Sequence, residues 1–271
     1  MIAGGMLRCM KIAFWNLAKN DNTSQVVDLI KENDIDIALF AEYKKTNFEM
    51  VVSSLKQYKI VYGYGGTDKV ILISKCGIPI SVRQEQTRYS IYLCDLENKK
   101  YIIAGVHLPA NPAANSEMRK NVIRDLVYDI GNAEKEEKTY NTIVVGDFNA
   151  SPFDEELIQK DCLNAVLFKD LIYEQEVVTL NNKQYRRFYN PHLSTISEQN
   201  KNYGSLYYSS GISTQYWYSY DQIIVRKPLV HLISDVQYCR TISGKKLLNK
   251  VAPKSSISDH LPLIAKIQGG A

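Results

Sequence analysis

The tetrapeptide Gly146-Asp147-Phe148-Asn149 places a carboxylate and a carboxamide two residues apart, directly after the apolar run 142–145. Such a carboxylate can accept a proton from water, and the amide can donate to a phosphoryl oxygen or hold the carboxylate in place. The glycine allows a sharp turn or a close approach of the backbone to a ligand. An ordinary Asx turn after a strand is the alternative interpretation, and the tetrapeptide alone leaves both open.

A second pair of reactive side chains is Asp259-His260, just before the apolar run 261–267. The carboxylate can bind a hard cation, and the imidazole can donate to a phosphate as negative charge builds on it. Glu42 follows the apolar run 35–40, and a carboxylate there is a natural oxygen ligand for Mg²⁺. A glutamate at the end of a strand is more often merely solvated, so neither feature by itself identifies a site.

Two further polar residues end apolar runs. Asn16 follows the run 11–15, and His107 follows the run 101–106. Asparagine after a strand is commonly a turn former, and a single histidine beside a buried strand is more often structural than catalytic. Their significance lies in the joint order of all these residues along the chain.

Periodicity predicts the elements that would position these groups. Apolar runs predict strands near 11–15, 35–40, 60, 70–73, 80–82, 90–93, 101–106, 142–145, 220–225 and 261–267. Helical spacing and caps predict helices near 21–32, 48–55 and 116–130. Several strands would deliver polar residues at their carboxyl ends, where functional groups commonly share a crevice. This mixture favours an α/β sandwich, and the sequence contains neither a Gly-rich dinucleotide motif nor a P-loop.

Six motifs stand in an order that resembles the endonuclease/exonuclease/phosphatase superfamily, with its exonuclease III-like and DNase I-like members. They are Trp15-Asn16, Glu42, Val106-His107-Leu108, Gly146-Asp147-Phe148-Asn149, Tyr220-Asp221-Gln222 and Ser258-Asp259-His260. The resemblance implies a four-layer α/β sandwich, in which helices flank two packed mixed β-sheets. It also implies one domain over residues 10–268. Residues 1–9 are expected to be an N-terminal extension, either disordered or foreign to the natural chain.

The resemblance implies a divalent cation, Mg²⁺ or Mn²⁺, as cofactor. Glu42 would be its principal ligand, with Asn16 and Asp259 nearby. Members of the superfamily usually have Gln before this glutamate, whereas this chain has Ala41, which removes an amide beside the metal. The carboxylate itself is retained.

The resemblance also implies the roles of five catalytic residues. Asp147 would orient or deprotonate the attacking water, and Asn149 and His107 would contact the phosphate. His260, paired with Asp221, would stabilise the transition state. These roles agree with the chemistry, because donors and a metal neutralise the developing charge while a carboxylate directs in-line attack.

Three further residues are candidates for binding substrate. Arg119 stands where superfamily members often carry an arginine, although a surface arginine on the helix is about equally expected. Lys44 follows Glu42 by two residues, as in exonuclease III-like enzymes. Trp217 lies in a segment, 186–220, that is dense in tyrosine and could stack on unpaired bases. Packing of these aromatic side chains against a sheet is the slightly favoured alternative.

The resulting function is a metal-dependent phosphodiester hydrolase, with a DNA or RNA nuclease as the leading hypothesis and nucleic acid as substrate. A phosphatase or phosphodiesterase acting on a small phosphorylated molecule or lipid headgroup is the alternative, and a non-catalytic binding module is the weakest. The net charge of +4 gives slight support to polyanionic partners. Five scattered cysteines favour a reducing cytoplasm, and no apolar stretch predicts a membrane span. The sequence does not determine the oligomeric state.

Overall fold

A computed structural model describes residues 9–61, 70–110, 115–199, 201–209, 214–250 and 252–269. Residues 1–8, most of the predicted N-terminal extension, lie outside the described residues. In chain order the strands are β1 (Met10–Asn16), β2 (Ile37–Ala41), β3 (Tyr58–Val61), β4 (Val70–Lys75), β5 (Ile80–Glu85), β6 (Tyr89–Leu96), β7 (Lys99–His107), β8 (Thr142–Asp147), β9 (Ala165–Val166), β10 (Val177–Leu180), β11 (Lys183–Arg186), β12 (Phe188–Tyr189), β13 (Leu206–Tyr207), β14 (Trp217–Tyr218), β15 (Asp221–Val225), β16 (Ile233–Tyr238), β17 (Thr241–Ile242), β18 (Lys245–Lys246), β19 (Leu248–Asn249), β20 (Ala252–Pro253) and β21 (Leu263–Ile267).

The helices are interspersed with the strands along the chain. They are α1 (Thr23–Asn33), α2 (Lys45–Ser54), α3 (Ser116–Glu137), α4 (Glu155–Ile158), α5 (Lys169–Glu174) and α6 (His192–Thr195), with a 3₁₀ turn at Lys227–Leu229. The side chain of Asn115 caps α3 by accepting from the backbone N–H of Met118 at 3.0 Å. Asp34, in a left-handed conformation, ends α1. None of the helices in the described ranges is long and apolar enough to cross a membrane.

The first sheet has the strand order β16-β21-β1-β2-β4-β3. Its centre is the parallel pair β1 and β2, flanked on both sides by antiparallel neighbours. Both central strands are buried over nearly their whole length, which explains why they appear in the sequence as continuous apolar runs. Their parallel pairing brings their carboxyl ends to the same edge.

The second sheet has the order β5-β6-β7-β8-β15-β12-β9. Its parallel pair is β7 and β8, and β15 runs antiparallel to β8. The carboxyl ends of β7 and β8 therefore meet the amino end of β15 at one edge. Gly146 in β8 has no room for a side chain, because an added Cβ would lie 2.0 Å from the carbonyl oxygen of Val106. The glycine thus serves close packing between strands, not the approach of a ligand.

The two sheets pack face to face, and helices cover their outer faces. The larger core contains Phe14 and Leu39 from the first sheet together with Ile103 and Val145 from the second, and α1 and α2 extend it outward. A second core joins α3 to the outer face of the second sheet. This arrangement is the predicted four-layer α/β sandwich, which is confirmed.

Candidate active site

Four predicted site residues lie where the parallel strands of the two sheets end. Asn16 is the last residue of β1 and Glu42 immediately follows β2, while His107 and Asp147 are the last residues of β7 and β8 and pair in register. Since the sheets pack against each other, these two edges meet. The packing of the two sheets therefore brings together residues that are up to 131 positions apart in the chain.

Asp147 is held in place by two donors. The Asn16 side chain donates from Nδ2 to Oδ2 at 3.0 Å, and the backbone N–H of Asn149 donates to Oδ1 at 2.9 Å. Asn149 adopts a left-handed φ of 45°, and its Nδ2 donates one hydrogen to the carbonyl oxygen of Leu108 at 2.9 Å. The amide has a second hydrogen on Nδ2, so Asn149 retains a donor for a ligand.

Asp221 and His260 form a buried pair in which Nδ1 and Oδ2 are 2.6 Å apart. The other ring nitrogen, Nε2, lies 3.9 Å from Oδ2 of Asp147. Burial alone would lower the pKa of His260, but the charges of Asp221 and Asp147 and the hydrogen bond outweigh it and raise the pKa to about 10. Burial also raises the pKa of Asp221, against the pull of His260. The pair holds its shared proton tightly, and Nε2 can present a second proton to the cleft.

Backbone contacts fix the orientation of His260. Its N–H donates to Ser258 Oγ at 3.0 Å, and its carbonyl oxygen accepts from the indole of Trp15 at 3.0 Å. Ser258 in turn donates to the carbonyl oxygen of Asn16 at 2.7 Å. The loop before β21 is therefore tied to the end of β1.

A further network holds Asp221 and was not found from the sequence. His192 Nε2 accepts from the backbone N–H of Ile223 at 3.0 Å, and burial lowers the pKa of His192 to about 3. The neutral ring must therefore carry its proton on Nδ1, which lies 3.1 Å from the Tyr238 hydroxyl. Tyr238 is left to donate to the carbonyl oxygen of Asp221 at 2.8 Å.

Glu42 and His107 form the other side of the site. Glu42 has a left-handed φ of 51°, and its Oε1 lies 3.4 Å from Nε2 of His107. Burial lowers the pKa of His107, although the charges of Asp147 and Glu42 oppose this. The imidazole is therefore neutral at neutral pH, and its buried Nδ1 has no hydrogen-bond partner among the described residues.

These groups open onto a cleft of about 650 Å³, which includes Asn16, Glu42, Asp147, Asn149, Asp259 and His260 in its lining. The rest of its lining includes an apolar and aromatic wall, formed by Leu206, Tyr208, Tyr218 and Tyr220. Burial raises the pKa of Tyr220 to about 12, so its hydroxyl stays protonated and can donate. The sequence analysis identified the tyrosine-rich segment but not which of its members face the site.

Side chains along the hairpin of β13 and β14 alternate between its two faces, and this determines which of them line the cleft. Tyr207 pairs with Trp217, on the face opposite to the cleft. Trp217 packs against the larger core and lies 5.4 Å from Tyr207 and 6.1 Å from Tyr203, measured between ring centroids. Trp217 is not among the residues that line the cleft. Its role in binding substrate stays a prediction.

The other two candidates for binding substrate lie in different surroundings. Arg119 is buried on α3, where its Nε donates to Oε1 of Glu156 at 2.8 Å, and it does not line the cleft. Lys44 is exposed at the start of α2 and lines a second cavity, which borders the first at Glu42. The structure thus brings the eight predicted catalytic and metal-binding residues together, with Lys44 beside them and Arg119 and Trp217 outside the cleft.

Two groups of residues are candidates for holding a divalent cation. Within the described ranges, Asp147, Asp221 and His260 offer ligand atoms that all lie within 4.8 Å of one another. The tight proton-sharing bond of Asp221 with His260 makes this trio unsuited to a metal, because a protonated imidazole cannot be a ligand. Glu42, Asn16 and Asp259 instead supply oxygen donors at the cleft surface, the ligand type that Mg²⁺ prefers.

Comparison with known proteins is consistent with this architecture. The Endonuclease/Exonuclease/phosphatase family model matches residues 13–260. The fold is similar to that of humanized D. rerio TDP2 carrying 14 mutations, at a TM-score of 0.62 and 12% identity over 96% of this chain and 99% of that chain. It is also similar to the human Nocturnin catalytic domain with bound sulfate anion, at a TM-score of 0.57 and 16% identity over 98% of this chain and 96% of that chain.

A third similar structure is the endonuclease domain of TRAS1, a telomere-specific non-LTR retrotransposon, at a TM-score of 0.57 and 11% identity over 97% of this chain and 99% of that chain. No sequence among the curated proteins matches. Identities this low show the fold alone, whereas the family model spans nearly the whole chain. The chain belongs to the endonuclease/exonuclease/phosphatase family.

Proposed function

We propose that this protein is a nuclease that hydrolyses phosphodiester bonds of DNA or RNA with the help of Mg²⁺ or Mn²⁺. The observation that carries the proposal is the position of two chemically complementary groups in one cleft. The carboxylate of Asp147 lies 3.9 Å from Nε2 of His260, whose raised pKa makes it a donor. At this spacing the proton acceptor can contact the attacking water while the cationic donor contacts an oxygen of the phosphate under attack.

Each residue has a role that its surroundings support. Asp147 accepts a proton from the attacking water, and its two hydrogen bonds from Asn16 and Asn149 fix the direction of attack. His260 donates from Nε2 to a phosphoryl oxygen as the bond to the leaving oxygen breaks. Asn149 keeps a free amide hydrogen for the same phosphate, and neutral His107 lies beside it.

The family is generally dependent on divalent metals, and the donor set at the cleft surface fits such an ion. Glu42, Asn16 and Asp259 would hold it, with Glu42 as the principal ligand. When bound, the ion would neutralise developing charge on the phosphate and leaving oxygen.

Nucleic acid is the substrate that the cleft supports best. Three tyrosines on its aromatic wall offer faces on which unpaired bases can stack. Among the similar structures, one is of D. rerio TDP2 complexed with single strand DNA product and another is an endonuclease domain. The net charge of +4 is compatible with a polyanionic substrate.

The test is cleavage of labelled single- and double-stranded DNA and RNA at low salt with Mg²⁺, Mn²⁺ or chelator. Glu42→Gln and His260→Ala are expected to lower the rate at least about hundredfold, as loss of a metal ligand or of a hydrogen-bond donor to the transition state does. His231→Gln is the matched control, because this histidine is exposed and lies outside the cleft.

Metal-dependent cleavage that both site variants lose and the control keeps would establish the nuclease. Absence of cleavage of every polymer, in protein that is folded and metal-loaded, would refute it. Release of phosphate from small phosphorylated molecules under the same conditions would then establish the alternative phosphatase.

A further inference from the structure

A second cavity borders the cleft at Glu42 and is lined mainly by cationic side chains. It also measures about 650 Å³, and the described residues that line it are Lys19, Glu42, Tyr43, Lys44, Lys45, Arg88 and His107. Four of these seven side chains are cationic, and Glu42 supplies the only carboxylate among them. We call this cavity the basic pocket. The cleft and the basic pocket thus meet at Glu42, beside the proposed reacting centre.

The four cations come from three separate parts of the chain, so their convergence is a property of the fold. Lys19 lies in the loop after β1, Lys44 and Lys45 lie at the start of α2, and Arg88 directly precedes β6. Lys19 has a left-handed φ of 62°, and its backbone N–H donates to the carbonyl oxygen of Glu42 at 2.9 Å. The backbone of Arg88 accepts from His107 N–H at 2.9 Å. Hydrogen bonds to the site therefore position two of these four residues.

Within the described residues, three of the four cations of the pocket form no ion pair with a carboxylate, namely Lys19, Lys44 and Arg88. Other lysines of the chain do form such pairs, as Lys266 does with Asp235 at 2.7 Å and Lys100 with Glu137 at 2.7 Å. Like charges held together cost free energy, which a bound anion would relieve.

His107 lies between the basic pocket and the reacting centre. The whole residue is only 8% exposed, and it lines the pocket. His107 also reaches the reacting centre, because its Nε2 lies 4.0 Å from Oδ2 of Asp147. It therefore connects the two cavities.

We propose that the basic pocket binds a second phosphate group of the substrate, next to the phosphate that is cleaved. This inference rests on the proposed function and deepens it, because it defines the substrate as a molecule with two phosphates flanking a sugar. A base of the substrate stacks against the tyrosine wall of the cleft, and the second phosphate binds to the lysines of the basic pocket. An internal phosphate of a nucleic acid strand and the terminal phosphate of a small bisphosphate share this chemistry.

Binding in the presence of chelator tests the pocket without turnover. The affinities for a nucleoside 3′,5′-bisphosphate and for the two corresponding monophosphates would be measured by titration calorimetry. The proteins compared are the parent, Lys44→Gln/Lys45→Gln and Lys245→Gln/Lys246→Gln. Both variants remove two positive charges, but the second pair is exposed on β18, away from the site. We expect the first variant to weaken the bisphosphate about tenfold, and the monophosphate that lacks the second phosphate far less. The control should bind all three as the parent does.

Equal affinity of the parent and Lys44→Gln/Lys45→Gln for the bisphosphate would overturn the proposal, whether or not the enzyme is active. So would an equal loss in the control variant, which would indicate a general effect of net charge.

Cleavage assays distinguish the two sources of the second phosphate, a nucleic acid strand and a small bisphosphate. With metal, faster cleavage of a dinucleotide carrying an extra terminal phosphate than of one without it identifies a polymer substrate, and turnover of the bisphosphate alone identifies a small one. Failure of all cleavage contradicts the nuclease but leaves the binding result to decide the pocket.

Discussion

Asp221 and His260 share a 2.6 Å hydrogen bond at a position where neither side chain is more than 7% exposed. In that environment the unassisted imidazole would be neutral, because burial opposes its charge. The carboxylate reverses this preference and raises the pKa of His260 to about 10. Asp221 thus determines whether His260 can donate a proton from Nε2 into the cleft.

Replacing Asp221 with Asn should therefore lower the pKa of His260 by removing the charge that opposes burial. The amide oxygen can still accept from Nδ1, so the ring position should be kept. We expect the imidazole pKa, followed by NMR, to fall well below its present value and kcat/KM to drop about hundredfold at neutral pH. Asp235→Asn, at an exposed position of β16, is the control. An unchanged imidazole pKa would show that Asp221 does not charge this histidine.

Tyr238 belongs to the hydrogen-bond network that holds Asp221. Its hydroxyl donates to the carbonyl oxygen of Asp221 and accepts from His192, as the tautomer of His192 requires. Tyr238→Phe leaves that carbonyl and Nδ1 of His192 buried without partners. The free energy of unfolding in urea should fall by about 1–3 kcal/mol. Tyr128→Phe, at a side chain that is 70% exposed, should change it little, and an equal effect of both would argue against the network.

The positions of the proposed catalytic carboxylates and histidines were predictable because they are set by strand ends. Glu42, His107 and Asp147 each follow a buried apolar run, and parallel strands bring such ends to one edge. The hairpin of β13 and β14 was different, because two-residue strands carry too little periodicity to assign a face. The sequence therefore left open whether Trp217 stacks on substrate or packs against a sheet, and in the structure it packs against the core.

The network behind Asp221 and the basic pocket lay beyond sequence reasoning for another reason. His192, Tyr238, Lys19 and Arg88 belong to segments that no local pattern connects. Their convergence depends on how the two sheets are stacked and on which loops then meet. Only the three-dimensional arrangement supplies that information.

We expect Tyr208 and Trp217 to have different roles, the first in binding substrate and the second in stabilising the fold. Tyr208 is 54% exposed and lines the cleft, so Tyr208→Ala should weaken binding of single-stranded oligonucleotide by about 1–3 kcal/mol, with little effect on stability. Trp217→Phe should instead lower the free energy of unfolding and leave binding nearly unchanged. Fluorescence anisotropy with a labelled oligonucleotide and a urea titration of each variant separate the two effects. The reverse pattern would identify Trp217 as the base-stacking residue.

His192 predicts a specific part of the acid sensitivity of the fold. Burial lowers its pKa from 6.5 to about 3, so between these values the unfolded chain binds a proton that the folded chain does not. The stabilising contribution is therefore complete above about pH 6.5 and is lost as the pH falls, with a slope approaching about 1.4 kcal/mol per pH unit near pH 5. His192→Gln should be less stable than the parent at pH 8, but its free energy of unfolding should decline less steeply from pH 6.5 to 4.5. His231→Gln should keep the steep decline, because that histidine is exposed. Identical slopes for the parent and His192→Gln would show that His192 takes up its proton without unfolding the protein.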